Sequence, residues 1–125
     1  MSGLEKIITR SKNLGISECE VIHVNRKVTT VRITDSEIAE IKQNQEENLG
    51  IRIIQKNRIS TAQTNSLEKG EEILEKANQM TSFLKPREFW KSLPSKCSSP
   101  QLDGLFDQKL VEIGGKDAAD IAQEI

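Results

Sequence analysis

Aromatic side chains are scarce in this chain: three phenylalanines, one tryptophan and no tyrosine in 125 residues. A core of any size must therefore be aliphatic. Histidine occurs once, as His23. A structural zinc site takes about four protein ligands and a catalytic one about three. One histidine and two cysteines far apart in sequence do not meet that need, so no zinc, and no other cofactor, is expected on this chain. No apolar run approaches the ~20 residues of a membrane span. The N-terminal MSGLEKIITR mixes acid with base and lacks the apolar stretch of a signal peptide. Eighteen basic and nineteen acidic residues nearly cancel, to −1. A neutral chain has no electrostatic attraction for nucleic acid or for an anionic membrane. Cys19 and Cys97 leave a disulfide open, with two thiols in a reducing cytoplasm as the simpler reading. No glycine-rich phosphate loop is present, and Gly114-Gly115 is not one. Glu46-Glu47 and the cluster Glu68, Glu71, Glu72 and Glu75 read as solvated faces.

What the chain does have is residues 19–64, rich in valine, isoleucine and threonine and free of proline. β-Branched side chains suit a pleated surface better than a helix. The predicted fold is α+β, an antiparallel meander of about four to five strands with flanking helices. The strands are expected near 20–26, 28–34, 38–44, 48–55 and 58–64. Leu49, Ile51 and Ile53 alternate with Gly50 and Arg52, which puts them on one face. Ile54 breaks that alternation and marks a strand end or a bulge. Turns are expected at Asn25-Arg26-Lys27, Asp35-Ser36 and Lys56-Asn57. Ile38 and Ile41 also satisfy a helical spacing, so a helix over 36–48 competes with the strand reading.

Ser2 and Glu5 form a capping box for a helix over 3–13, which Gly15 stops. Asn65 caps a second helix over 66–84, with Leu67, Ile73, Leu74, Ala77, Met80 and Leu84 as its stripe; Pro86 ends it. Residues 1–85 are thus the α+β core. Residues 86–104 hold all three prolines and the Phe89-Trp90 pair, so they form a crossing segment that is partly docked. Asp103 is the expected cap of a short helix over 104–112, with Leu105, Phe106 and Leu110 inward. A further amphipathic pattern starts at Asp117, with Ala118, Ile121, Ala122 and Ile125 on one face. That stripe breaks off after about two turns. The expectation is that residues 105–125 lead toward a further domain and that the chain is an N-terminal piece of something longer.

In order and spacing, several segments resemble one family. Glu18-Cys19-Glu20-Val21 follows the opening helix. Asp35-Ser36-Glu37-Ile38 matches a D-G-E-I turn, and Leu49-Gly50-Ile51-Arg52-Ile53 an L-G-x-R-V strand. Asn57-Arg58-Ile59 and Ser60-Thr61-Ala62-Gln63-Thr64-Asn65 follow, and Trp90 to Pro94 matches W-x-x-L-P. Together they resemble the N-terminal domain of the TldD/PmbA family, described as modulators of DNA gyrase and as zinc metalloproteases. Ser36 replaces the turn glycine, Thr61 an aromatic residue, and Gln63 a small hydroxyl residue. The resemblance implies a cytoplasmic protease that works on peptides, as a homo- or heterodimer. Its zinc would sit on a His-Glu-x-x-x-His helix and a distant cysteine in a C-terminal domain. None of these occurs here, so no catalytic or metal residue carries over.

The expected role is therefore non-catalytic: guiding a substrate peptide or pairing subunits. The alternative is a free-standing interaction module that binds a protein partner through its sheet. Edge strands of a meander leave backbone groups to which an extended peptide can add. The candidate edges are 48–55 and 58–64, and the candidate contacts are Ile51, Ile53, Ser60, Thr61, Gln63 and Thr64.

Overall fold

The computed structural model describes residues 1–94 and 98–125; Cys97 lies outside them. The elements are α1 (Gly3–Asn13), β1 (Glu18–Thr34), β2 (Glu37–Gln55), β3 (Arg58–Thr64), α2 (Gly70–Met80), α3 (Gln108–Glu112) and α4 (Gly115–Gln123). Single 3₁₀ turns flank α2 at Leu67–Lys69 and Thr81–Phe83. The strands form one sheet in the order β1-β2-β3. The chain divides into two compact units: residues 1–25 with 46–95, and residues 26–45 with 96–125.

The sheet has three strands where four to five were expected. Asn25-Arg26-Lys27 lie within β1 and residues 45–47 within β2, so neither is a turn. Tight hairpins need residues at positive φ, and these occur at Asp35 (53°), Ser36 (64°), Lys56 (51°) and Asn57 (57°). Only the two expected turns that carry them reverse the chain. The helical alternative for 36–48 is likewise overturned, because these residues lie in β2 apart from the turn residue Ser36.

In the first unit, Ser2 accepts from Glu5 N and Glu5 Oε2 accepts from Ser2 N, closing the capping box. After the cap residue Leu14, Gly15 takes φ 70° and ends α1. Helices α1 and α2 pack together, and Ile7, Ile73, Leu74 and Ala77 bury against Leu49, Ile51 and Ile53. Each such aliphatic side chain contributes about 1.5–3 kcal/mol. Arg10 bridges to Glu75 across the two helices at 2.6 Å. Asn65 does not cap α2. The chain turns instead at Ser66, whose N–H donates to Thr64 Oγ1, and winds through Leu67–Lys69 first. Met80, assigned to the apolar stripe, is exposed.

Ile54 neither ends the strand nor marks a bulge. It stays in the ladder opposite Ile59 and is buried on the other face of the sheet. Trp90 lies beside it. The Trp90 indole N–H donates to Glu18 Oε2 at 3.0 Å, the Leu93 N–H reaches the same oxygen, and Arg87 N donates to Asn57 O. Of the Phe89-Trp90 pair the tryptophan is the one that docks, since Phe89 is 95% exposed.

In the second unit, the cap of α3 is Asp107, which accepts from Lys109 N, rather than Asp103. Gly104 at φ 80° precedes it, and the helix shrinks to Gln108–Glu112. Leu105, Phe106 and Leu110 are exposed, contrary to expectation. They line a hollow of about 490 Å³ beside Lys27 and Thr29. Helix α4 begins at Gly115, and the Asp117 carboxylate accepts from Gly114 N. Its buried residue is Ala119, while Ile121 is exposed.

Candidate functional site

The pleat of β3 divides the predicted site residues between two faces. Paired residues of an antiparallel ladder share a face. Ser60, Ala62 and Thr64 lie opposite Ile53, Ile51 and Leu49, on the face packed against the helices. Thr61 and Gln63 lie opposite Arg52 and Gly50 on the other face, and both are exposed. Ile51 and Ile53 are at most 2% exposed and sit on the central strand. Segment 48–55 thus has a neighbour on each side and no free edge.

Strand β3 is different: within the sheet, β2 is its one neighbour among the described residues. The Lys56-Asn57 turn contributes two residues, so Gln55 and Arg58 close the hairpin. In such a hairpin the closing pair exchanges both hydrogen bonds, and bonded pairs then alternate. Ser60, Ala62 and Thr64 therefore spend their backbone groups on β2. Ile59, Thr61 and Gln63 direct theirs away from it, to the open edge.

Above this edge strand the exposed face of the sheet is hollowed. A shallow cavity of about 240 Å³ is lined by Glu20 and Ile22 of β1, Gly50 and Arg52 of β2, and Thr61 and Gln63 of β3. Arg52 forms an ion pair with Glu20. Its Nε is buried and meets no acceptor among the described residues. Ile22 and Val24 are 54% and 47% exposed. An adjoining hollow shares Ile22, Gly50 and Gln63 and adds Val24 and Asn48. Of the predicted contacts, Thr61 and Gln63 are brought together here, and Ile51 lines the cavity from below. Gly50, Arg52, Glu20 and Ile22 were not foreseen. The available signal was Gly50 itself, since glycine inside a strand often marks close approach by something else.

His23 Nε2 lies 2.9 Å from Glu47 Oε1, a pairing across β1 and β2. Among the described residues, no group of three His, Cys, Asp or Glu is placed to hold a metal ion. The half-buried Cys19 thiol is pushed above its ordinary value by burial, with Ser11 opposing and Glu20 adding to the shift. Among the described residues, no helix is long and apolar enough to cross a membrane.

Residues 19–82 match the family described as PmbA/TldA metallopeptidase domain 1. The chain belongs to the TldD/PmbA family. Within it, the matched stretch, which carries β1–β3 and α2, is the first, N-terminal domain. TldE from Thermococcus kodakarensis superposes with a TM-score of 0.73 at 23% identity, over 92% of this chain and 26% of its own. A Thermotoga maritima protein, named as a candidate modulator of a DNA gyrase, gives 0.73 at 14% identity, over 98% of this chain and 27% of its own. At these identities the likeness is one of fold. The chain spans about a quarter of the length of either solved protein. No curated protein matches the sequence. The zinc that a TldD/PmbA metallopeptidase implies does not fit the donor set here, which has a single histidine in the whole chain.

Proposed function

We propose that this chain is the non-catalytic first domain of a TldD/PmbA-type zinc metalloprotease and that it guides the substrate by accepting an extended peptide on β3. One observation carries the reading: β3 is paired on one side, and the backbone groups of Ile59, Thr61 and Gln63 are directed to the other. Main-chain pairing binds many sequences with little selectivity, which suits a protease acting on unfolded segments. The chemistry belongs elsewhere in such a protein: the sequence has one histidine, and no group of three possible ligands is placed for a metal among the described residues.

Proline substitution separates the edge from the ladder, since it removes one N–H. Thr61→Pro deletes an outward donor and leaves the bonds to β2. Ser60→Pro deletes a ladder donor. Binding of a fluorescent extended peptide, followed by anisotropy, should weaken in Thr61→Pro while its circular dichroism spectrum holds. Ser60→Pro should lower the thermal midpoint. Unchanged peptide binding in a folded Thr61→Pro protein would overturn the proposal. Gel filtration tests subunit pairing instead: a dimer that Thr61→Pro splits would assign the edge to a second copy.

A further inference from the structure

Gly50 stands inside the central strand, five residues before its end, without an internal reason to be glycine. Its φ is not positive, so the backbone there suits any residue. A Cβ built on it would meet nothing closer than the Ile22 carbonyl oxygen at 4.0 Å. Glycine inside a strand is a poor choice, because it forfeits backbone entropy and side-chain packing. Gly70 and Gly3 are crowded by their neighbours; Gly50 is not. What glycine preserves at this position is the open space above the sheet.

That space has a defined lining. Ile22 and Val24 flank it with apolar surface that is about half exposed. Glu20 and Arg52 neutralise each other at its other end. Arg52 Nε still has no acceptor among the described residues, and buried polar groups normally have one. The wall toward the open edge is Thr61, Ala62 and Gln63. Strands lie about 4.8 Å apart, so a peptide added to β3 would run about 10 Å from Gly50. A short side chain cannot span that gap and leucine stops above Thr61 and Gln63, whereas phenylalanine or methionine leaning over them reaches the near side of the hollow.

We infer that the Gly50 notch is a specificity pocket for one large apolar side chain of the peptide bound along β3. The inference rests on the edge-pairing reading above. It narrows the substrate class to extended segments carrying a bulky, uncharged residue opposite Thr61 and Gln63.

Two labelled Ser/Thr-rich peptides that differ by one central residue, phenylalanine or alanine, test this by anisotropy. The protein should bind the phenylalanine peptide about tenfold more tightly, the range expected for burying one such side chain. Gly50→Val fills the notch with a residue that strands favour, so the fold and thermal midpoint should hold. This variant should bind both peptides with the weaker affinity. Gly50→Ser fills less of the notch and serves as a second variant should valine disturb the sheet. If the preference for phenylalanine survives in a folded Gly50 variant, the pocket is refuted. If neither peptide is preferred but Thr61→Pro still weakens both, the edge stands and the pocket falls. If Thr61→Pro affects neither peptide, the edge reading fails as well. If the Gly50 variants alter self-association instead of peptide binding, the notch serves a second copy and the inference is overturned.

Discussion

Gly70 lies so close to Ile7 that a methyl group on its α-carbon would sit 2.9 Å from Ile7 Cγ1 and 3.1 Å from Leu49 Cδ2. Helix α2 approaches α1 and the sheet at this point because it starts with no side chain. Gly70→Ala would gain in helix propensity, by up to about 1 kcal/mol at an interior position and less at a first turn. Overpacking costs about 1–3 kcal/mol. The expected net change is a loss of about 1–2 kcal/mol in a urea titration. Ile7→Val removes the nearest methyl, so the double variant should recover part of that loss. Additive losses would show that Ile7 is not the obstacle.

The Glu18 carboxylate accepts from both the Trp90 indole and the Leu93 backbone, and Trp90 is the one tryptophan of the chain. Its fluorescence therefore reports on the docked segment alone. Glu18→Ala should shift the emission to longer wavelength and raise acrylamide quenching. The stability loss should be about 1 kcal/mol, the usual contribution of a hydrogen bond. Glu18→Gln keeps an acceptor oxygen and should resemble the parent protein. Equal red shifts in both variants would mean that charge, not the hydrogen bond, holds the segment.

The sequence carried α1 and the inward face of β2 because these depend on local signals. Ser2 with Glu5 marks a cap, and Leu49, Ile51 and Ile53 mark a buried face wherever the strand ends. Strand length was not legible in the same way. Residues 45–47 read QEE, which looks like a break between two strands, yet they are held in β2 by the ladder and not by burial. The polar run Asn25-Arg26-Lys27 reads as a turn for the same reason, yet it lies within β1. The edge was half legible: 58–64 is terminal in the sheet, but 48–55 is central, and strand order is a long-range property. Thr61 and Gln63 could be named from polarity; their partners Gly50, Arg52 and Ile22 come together only through pairing.

The β1–β2 turn places Ser36 at φ 64°, where the family carries glycine. A side chain with a Cβ is strained in the left-handed region. Ser36→Gly should relieve that strain, offset in part by the greater freedom of glycine in the unfolded chain. A net gain of about 0.5 kcal/mol is expected from denaturant unfolding, with slower hydrogen exchange next to the turn. Thr34→Gly, within β1, should destabilise. A loss of stability in Ser36→Gly would mean that the serine side chain makes a contact that outweighs the strain.

The Cys19 thiol offers a test through pH. Burial in β1 against the core raises its pKa above the ordinary 9.0, and the neighbouring Glu20 adds to this, against a lowering hydrogen bond from Ser11. A raised folded-state pKa means that the native protein holds this proton after the unfolded chain has released it. The stability tied to that proton is complete below the unfolded value and is lost as pH rises through the folded one. The comparison is Cys19→Ala against its parent, both carrying Cys97→Ser so that one thiol reports. Below about pH 8 the stability difference between them should be constant, with the parent favoured by the packing of its side chain. Above the ordinary thiol value the parent alone loses stability, so the difference should narrow. Alkylation by iodoacetamide follows the thiolate and should be slow at pH 7 in the folded protein. Its midpoint should lie higher than in urea. A folded-state midpoint at or below the unfolded one would show that the thiol faces water or a cation and not the aliphatic core.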